Sequence, residues 1–542
     1  MFHNKLDENG SLVEWSEIMP TLEWIGKEKV INHHQEIPYR VLNEEYTFNS
    51  TSSENMVIHG DNLEALKSLL PQYEGRIDFI YIDPPYNTGK EKWIYNDNVN
   101  DPRILKWLGE VVGADAEDLS RHDKWLCMMY PRLKLLQKLL SQKGYIFISL
   151  DDNEIANLLL TLNEIFGSNN FVGIYHWEKT STAPALSKKI RRKVEYVICY
   201  AKNLDTSHQF SQGFIDGGDA PLLNSGNPRK VVTFPANSVQ FKIVDGIYNS
   251  VKGNKVKLIE PVEVKNGKNS TPLVLEGEFK WIQSTIQSEI DEGTYFLIKS
   301  KAFSIRYQRV GEKQLKIPQN LIDSSIGVGT NEDAKKELKR YGITNFDYPK
   351  PTSLIEFLIR MVNLGNDITV LDSFAGSGTT AHSVMNLNKD KGNRKFILIE
   401  LMDYAKTITA ERLKKAIKMN DVPSNSSFTF YELGEPMFAA DGNLNESIHE
   451  DKIREYIFFM ETKQRIDTKS DNKYFLGTKD LTDYYFFYEK DKITNLNYDF
   501  LSKLVKKNEV YIIYADKCTI GYKELDKYGI VFKKIPRDIS RL

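Results

Sequence analysis

The chain has 542 residues, 72 basic and 74 acidic side chains and a formal net charge of −2. That length exceeds one ordinary domain, and the near-neutral total leaves any binding of a polyanion to local basic stripes. The three cysteines, Cys127, Cys199 and Cys518, are scattered with no Cys-x-x-Cys pair, which argues against a disulfide scaffold or zinc site and fits a reducing cytoplasm.

Residues 1–55 are mixed and polar, with Trp15 and Trp24 in short amphipathic pieces. They read as an N-terminal extension packing on the catalytic domain, and the polar start Met-Phe-His-Asn-Lys-Leu-Asp-Glu predicts no signal peptide. No uninterrupted apolar run is long enough to span a bilayer. From 56 to 203 strand and helix patterns alternate, the rhythm of βαβ units on a parallel sheet. Val57-Ile58-His59-Gly60-Asp61-Asn62 is a short apolar strand ending in Gly-Asp. Asp61 suits a ligand's amino group and equally suits the N-cap of a helix over 63–70; both roles are compatible. His59 has no partner in view and reads as structural.

The next apolar run, Ile77-Asp78-Phe79-Ile80-Tyr81-Ile82, leads directly into Asp83-Pro84-Pro85-Tyr86. An exocyclic amine on a base is a poor nucleophile because its lone pair is delocalised into the ring. A carboxylate accepting one N–H and a backbone carbonyl accepting the other localise that pair for attack on an activated methyl group. Asp83 supplies the acceptor-only carboxylate. Pro84 supplies the carbonyl, pre-aimed because two prolines fix φ twice. Fixed acceptors stabilise the positive charge that grows on the nitrogen without reorganising. Tyr86 offers a flat face to a base rotated out of its helix. The plain alternative is a Pro-rich turn with Asp83 as a local cap.

Helical spacing over Trp125–Leu140 is followed by the strand pattern Tyr145-Ile-Phe-Ile-Ser149, and Asp151 and Asp152 read as the cap of a helix over 155–166 rather than a metal pair. Lys188-Lys189-Ile-Arg191-Arg192-Lys193 places five positive charges in six residues. It is suited to phosphates and equally to a solvated loop. Residues 204–345 break the rhythm with short strand-like runs, Lys230–Phe234, Val256–Ile259 and Tyr295–Ile298, separated by Gly, Asn and Ser. A stretch this long is hard to explain as a loop, and a target-recognition domain reading the major groove is the sensible role. Arg229, Lys230, Trp281, Arg306, Tyr307 and Arg309 are its candidates for contact, though for each taken singly a solvated surface role is the better reading.

The second chemical motif is Thr369-Val-Leu-Asp372-Ser-Phe374-Ala-Gly376-Ser377-Gly378-Thr-Thr380, a buried strand, a Gly-rich turn and a helix start. Gly376 and Gly378 allow close approach of a ligand to the backbone, and the helix N-terminus suits a carboxylate-bearing ligand such as the methionine part of S-adenosylmethionine. A phosphate loop would need Lys where Thr379 stands, and a dinucleotide fingerprint would need a third Gly. Lys395-Phe-Ile-Leu-Ile-Glu400 is a further strand, with Glu400 at its carboxyl end placed for ribose hydroxyls. After the segment Asp421–Ser427, a linker by composition, residues 428–542 read as a small α/β unit, with strands at Tyr484–Tyr488 and Val510–Tyr514 and a helix over Tyr498–Leu504.

Four segments together, Val57–Leu66, Tyr81–Gly89, Gly144–Glu154 and Asp372–Thr380, resemble the DNA amino-methyltransferases whose catalytic motif precedes the cofactor motif, and in particular the modification (Mod) subunits of type III restriction–modification systems. Tyr348-Pro-Lys350-Pro351 resembles that family's extra cofactor-pocket element. The resemblance covers most of residues 20–420. It implies a Rossmann-like α/β methyltransferase fold, in circularly permuted order because the catalytic strand precedes the cofactor strand. With the rhythm of the chain this gives a catalytic domain over 56–203 and 346–420, an inserted target-recognition domain over 204–345 and a unit over 428–542 suited to dimerisation or docking a partner. The resemblance implies Asp83, Pro84, Pro85 and Tyr86 as catalytic residues. Asp61, Lys350, Asp372, Phe374, Gly376, Ser377, Gly378 and Glu400 would form an S-adenosylmethionine pocket, with no metal. Asp at the first motif position resembles the adenine-N6 enzymes. Double-stranded DNA, a homodimer and a restriction (Res) subunit are the implied partners, in the cytoplasm. Cytosine-N4 or RNA methylation, or a DNA-specificity or docking subunit with secondary catalysis, are the alternatives.

Overall fold

The computed structural model describes residues 21–88, 120–182, 189–212, 214–216, 219–249, 255–309, 313–439, 441–464, 466, 472–504 and 508–537, with two short strands at Lys5–Leu6 and Leu12–Val13. Trp15 of the N-terminal extension and Lys188 of the basic cluster lie outside these residues. The chain divides into two compact units, one formed by 1–209 with 319–542 and the other by 210–318.

The larger unit is built on a ten-stranded sheet. In chain order its elements are β1 (Arg40–Phe48), β2 (Met56–His59), α1 (Asn62–Tyr73), β3 (Ile77–Ile82), α2 (Arg121–Leu139), β4 (Leu140–Leu150), α3 (Ile155–Phe166), β5 (Phe171–Glu178), β6 (Val194–Ala201), β7 (Leu321–Ile322), α4 (Asn331–Arg340), α5 (Thr352–Met361), β8 (Thr369–Asp372), α6 (Thr379–Leu387), β9 (Lys395–Glu400), α7 (Ala410–Lys418) and β10 (Phe428–Pro436). The strand order is β7-β5-β6-β4-β3-β8-β9-β2-β10-β1. From β4 through β10 all neighbours are parallel, and β6 runs against β4 and β5 while β1 runs against β10. β3, β8 and β9 are near-continuous apolar runs because both faces of a central parallel strand are covered. α1, α2 and α3 bury Leu66, Leu69, Trp125, Leu133, Leu136, Leu158 and Leu162 against the sheet.

The late strand β8 inserts beside the early strand β3, pairing Val370 with Phe79 and Leu371 with Ile80. The expected Rossmann-like sheet in permuted order is therefore present, and the carboxyl ends of β2, β3, β8 and β9 open on one edge, where open α/β sheets bind ligands.

Three boundaries differ from those the sequence suggests. The insertion is shorter than 204–345: β7 pairs with β5, and α4 packs Ala334 and Leu338 inward behind a capping box of Thr330 and Asp333. β10 belongs to the large sheet rather than to a separate C-terminal unit, and β1, inside the supposed extension 1–55, completes the edge on it. Alternation marks these segments as strands, whereas their partners are chosen by tertiary burial.

Beyond β10, helix α8 (Glu450–Thr462) accompanies a four-stranded sheet of β11 (Phe475–Lys479), β12 (Thr482–Phe486), β13 (Val510–Ala515) and β14 (Ile530–Lys534). Arg537 is buried there against Asp516 and Glu446, a fully satisfied guanidinium. The unit 210–318 has a seven-stranded and a three-stranded sheet among its described residues, a helix at Gln283–Asp291 and its own core of Val232, Phe234, Val239, Phe296, Ile298 and Ile305. Strands appear at Lys230–Phe234, Val256–Leu258 and Tyr295–Ile298, as the sequence suggests.

Leu371 has no exposed surface at the centre of the sheet. Leu371→Ala is expected to cost ~2–5 kcal/mol through lost burial and the cavity left behind. Urea unfolding of the full chain should show this as a lower midpoint at unchanged slope.

Candidate active site

A cavity of about 760 Å³ opens at the carboxyl edge of the sheet. Its wall runs from Ser373, Phe374, Gly376, Glu400 and Tyr404, past Asp83 to Tyr86, to Asp151, Lys179, Arg192 and Glu332. Both motifs of the sequence thus face one space.

β3 delivers Asp83 to the floor. Its carboxylate receives Lys350 Nζ at 2.8 and 2.7 Å on its two oxygens, and Tyr86 Oη lies 2.9 Å from Oδ1. Burial pushes the Asp83 carboxyl above its ordinary range, opposed by the Lys350 ammonium. Tyr86 Oη is also 3.0 Å from Glu195 Oε2, and its single proton serves one carboxylate at a time. Glu195, from β6, is buried and accepts from Lys179 Nζ at 3.0 Å. Burial pushes its carboxyl up, yet Lys350 and Lys179 hold it below the usual range. Lys350, although burial pulls it down, is held above its ordinary value by Asp83 and Glu195. Two carboxylates and two ammoniums thus make a group of zero net charge, with Glu195 and Lys350 buried and Asp83 and Lys179 half-buried.

The turn after β3 is braced from below. Trp125 Nε1 donates to the Pro85 carbonyl at 2.7 Å, while Pro84, in the cavity wall, has no donor to its carbonyl among the described residues. Asn87 sits at φ 55°, a conformation Asn tolerates. Its amide donates to the Arg121 carbonyl at 3.1 Å and to Glu154. Glu154 is fully buried and also bonds His122 Nδ1 at 2.6 Å and Asn157 Nδ2 at 2.7 Å.

In the Gly-rich turn, Asp372 accepts from Phe374 N at 3.0 Å and Thr380 Oγ1 at 2.5 Å, and Glu400 accepts from Gly376 N at 2.8 Å and Met402 N at 3.0 Å. Gly376 has φ +52°, and a Cβ there would sit 3.3 Å from Phe346 Cζ; Gly378 has φ +78°, and a Cβ would meet Thr409 Cγ2 at 3.1 Å. Behind the turn, fully buried Arg412 donates to Ser377 Oγ at 3.1 Å and Thr379 Oγ1 at 2.8 Å, and Thr379 Oγ1 donates to the Lys350 carbonyl at 3.1 Å.

The structure places the expected site residues as follows. Lys350 sits on Asp83 and Tyr86, not in the half of the cavity lined by Phe374 and Glu400. Tyr86 lines the cavity, with its hydroxyl on Asp83 and Glu195 and Lys350 Nζ 5.1 Å from its ring centroid. Asp61 caps α1, accepting from Leu63 N at 2.8 Å and pairing with Arg132 at 3.3 Å, while Asn62 lines the cavity. Asp372, Ser377 and Gly378 shape the turn from behind and do not line the cavity. In the basic cluster Lys189, Arg191, Arg192 and Lys193 are all exposed, with Arg192 paired to Asp152 at 2.7 Å and Lys193 to Glu178 at 2.6 Å. Nothing in the sequence singles out Glu195, Lys179 or Glu154 for the turn: each has another charged residue within two positions (Lys193, Glu178 and Asp152), and only folding brings it there.

The residues fit an adenosyl–amino acid ligand. Phe374, Phe346 and Tyr404 give aromatic surface and Glu400 a carboxylate, and the Ser373 hydroxyl is buried in the wall without a hydrogen-bond partner among the described residues.

Residues 77–411 match the DNA methylase family N6_N4_Mtase. The chain belongs to that family. It is 31% identical over 405 residues to the StyLTI Mod subunit of Salmonella typhimurium, a type III restriction–modification enzyme, covering 71% of this chain and 58% of that one. It is 30% identical to the EcoP15I Mod subunit of Escherichia coli, covering 78% and 72%, and 33% identical to the EcoPI Mod subunit of Escherichia phage P1, covering 72% and 65%. The chain therefore spans little more than half of the StyLTI subunit and most of the EcoP15I subunit.

Burial pushes the Asp372 carboxyl up to about 7. A carboxyl that holds its proton more tightly when folded favours folding at low pH, and that contribution is lost as pH rises from the unfolded value of ~4 through about 7. Asn at 372 has the same shape and does not titrate. The melting temperature of ligand-free protein, followed from about pH 5 to about pH 8, should therefore lose less in Asp372→Asn than in the wild type.

Proposed function

We propose that this chain methylates N6 of an adenine rotated out of double-stranded DNA, with S-adenosylmethionine as methyl donor, as the modification subunit of a type III restriction–modification system. The observation that carries the reading is one cavity lined by Asp83, Pro84 and Tyr86 together with Ser373, Phe374 and Gly376 of the Gly-rich turn and Glu400. When bound, S-adenosylmethionine supplies an electrophilic methyl group. Ser373, Phe374, Gly376 and Glu400 would hold it.

Asp83 accepts one N–H of the target amine and Pro84 the other, which localises the nitrogen lone pair. Their fixed partial and full negative charges stabilise the cation that develops on that nitrogen. Trp125 and Glu154 keep the turn from relaxing, which preserves the geometry the reaction needs. Asp at position 83 supports adenine over cytosine. The unit 210–318 would read sequence, with Trp281 and Arg309 (guanidinium 5.4 Å from the indole centroid) among its aromatic and basic groups. Lys189 and Arg191 would meet phosphates, with Lys188 beside them in sequence. The C-terminal sheet would serve self-association or a restriction subunit, in a cytoplasmic setting. Among the described residues no helix is long and apolar enough to cross a membrane.

The test is incorporation of labelled methyl from S-adenosylmethionine into unmodified plasmid DNA, with separation of the product nucleosides. N6-methyladenine is expected, and Asp83→Ala should lower its rate by at least ~100-fold, the scale of a preorganised acceptor removed from a reaction centre. N4-methylcytosine would change the base, and full activity of Asp83→Ala would remove Asp83 from the mechanism.

A further inference from the structure

The Lys350 ammonium holds the carboxylate that the proposed target amine would use. Its Nζ bonds both oxygens of Asp83, at 2.8 and 2.7 Å, and Tyr86 Oη lies 2.9 Å from Oδ1, so the charge of Asp83 is compensated and most of its accepting capacity is taken until Nζ moves. The side chain is 6% exposed. It is flanked by the rings of Tyr86 and Trp177, whose centroids are 5.1 and 5.7 Å from Nζ, and its own backbone carbonyl is held by Thr379. Such an ammonium has little access to bulk water, and leaving it unpaired inside the protein is strongly unfavourable. It needs a second carboxylate. Glu195 Oε2 is 3.5 Å from Nζ, and Tyr86 Oη bridges the two acids. Lys179 occupies the other oxygen of Glu195, which keeps Oε2 turned to Lys350 and Tyr86.

We propose that Glu195 is a positioning residue that takes the Lys350 ammonium from Asp83 as the base enters, so that the Asp83 carboxylate meets the target amine with its negative charge uncompensated. The inference rests on the proposed action on an exocyclic amine. No proton changes owner: Lys350 stays an ammonium and moves between two acceptors that both lie within 3.5 Å of Nζ. The same move accounts for a second, buried carboxylate beside Asp83 at a site whose chemistry uses one. With no base present, Lys350 neutralises Asp83. With the base present it neutralises Glu195, and Asp83 faces the growing cation alone.

The experiment measures methyl transfer by the full chain at saturating S-adenosylmethionine for wild type, Glu195→Gln, Lys350→Met and the double variant. Gln keeps the shape of Glu195 and removes the charge that receives Lys350. Glu195→Gln is expected to lower kcat by about 30-fold, the equivalent of one charged hydrogen bond. DNA KM, set mainly by phosphate contacts, and S-adenosylmethionine affinity should stay within about twofold. Once Lys350 is Met there is no ammonium to hand over, so Glu195→Gln should add no further loss in that background. Wild-type kcat in Glu195→Gln overturns the proposal, as does an equal loss in both backgrounds. If Glu195→Gln does not fold, as judged by thermal melting, the hand-off is read from wild-type crystals soaked with adenosine. Lys350 Nζ bonded to Glu195, with the adenine amine on Asp83, supports it. Nζ still on both Asp83 oxygens overturns it. A wild-type chain that transfers no methyl to DNA defeats the proposed function instead, and the soaked crystals still decide the hand-off.

Discussion

Two backbone pairings, Val370 with Phe79 and Leu371 with Ile80, make the site possible. They lay β8 against β3 across the insertion, and because the strands are parallel both end on the same edge. The Asp78 side chain helps to set that register: it accepts from Thr369 N at 2.9 Å, 291 positions along the chain, and from Ser141 Oγ at 3.2 Å. Burial pushes the Asp78 carboxyl up, so both bonds matter to a group poorly solvated when ionised. One acidic residue near the start of β3 therefore joins three strands, and the chemistry sits a few residues further along the same strand.

The site then depends on how burial and charge are balanced. Asp83 and Glu195 would each be costly alone in this interior, and Lys350 and Lys179 make the group neutral. Arg412 plays a related part behind the Gly-rich turn, where it donates to Ser377 and Thr379 and pairs with Glu337 at 3.3 Å. Glu337 in turn accepts from Thr352, two residues after Lys350. The turn and the segment that carries Lys350 are thus joined twice, through Thr379 to the Lys350 carbonyl and through Arg412 and Glu337 to Thr352.

The two motifs, the alternation of strand and helix, and the permuted order were legible in the sequence. Each is local: an apolar run of five or six residues ending in Asp-Pro-Pro-Tyr or in a Gly-rich turn has few ways to fold. The strands Lys230–Phe234 and Tyr295–Ile298 were legible for the same reason. The roles of Lys350, Asp61 and Tyr86 were less so. Asp61 follows its local signal, a residue placed to cap α1, and Arg132 takes its other oxygen. Nothing near Lys350 in sequence points to Asp83.

Sequence alone determined the chemistry available at the ends of β3 and β8, because Pro fixes φ and Gly admits positive φ whatever surrounds them. It also determined the parallel character of the sheet's centre, because only strands buried on both faces are so uniformly apolar. The tertiary structure decided which strands neighbour one another at the edge, so that β1 and β10 joined the large sheet and β7 and α4 left the insertion. It also decided which charges meet. Glu195, Lys179 and Lys350 come from β6, the loop after β5 and the segment before α5, and a buried charge finds its partner by position in space, which no spacing along the chain records.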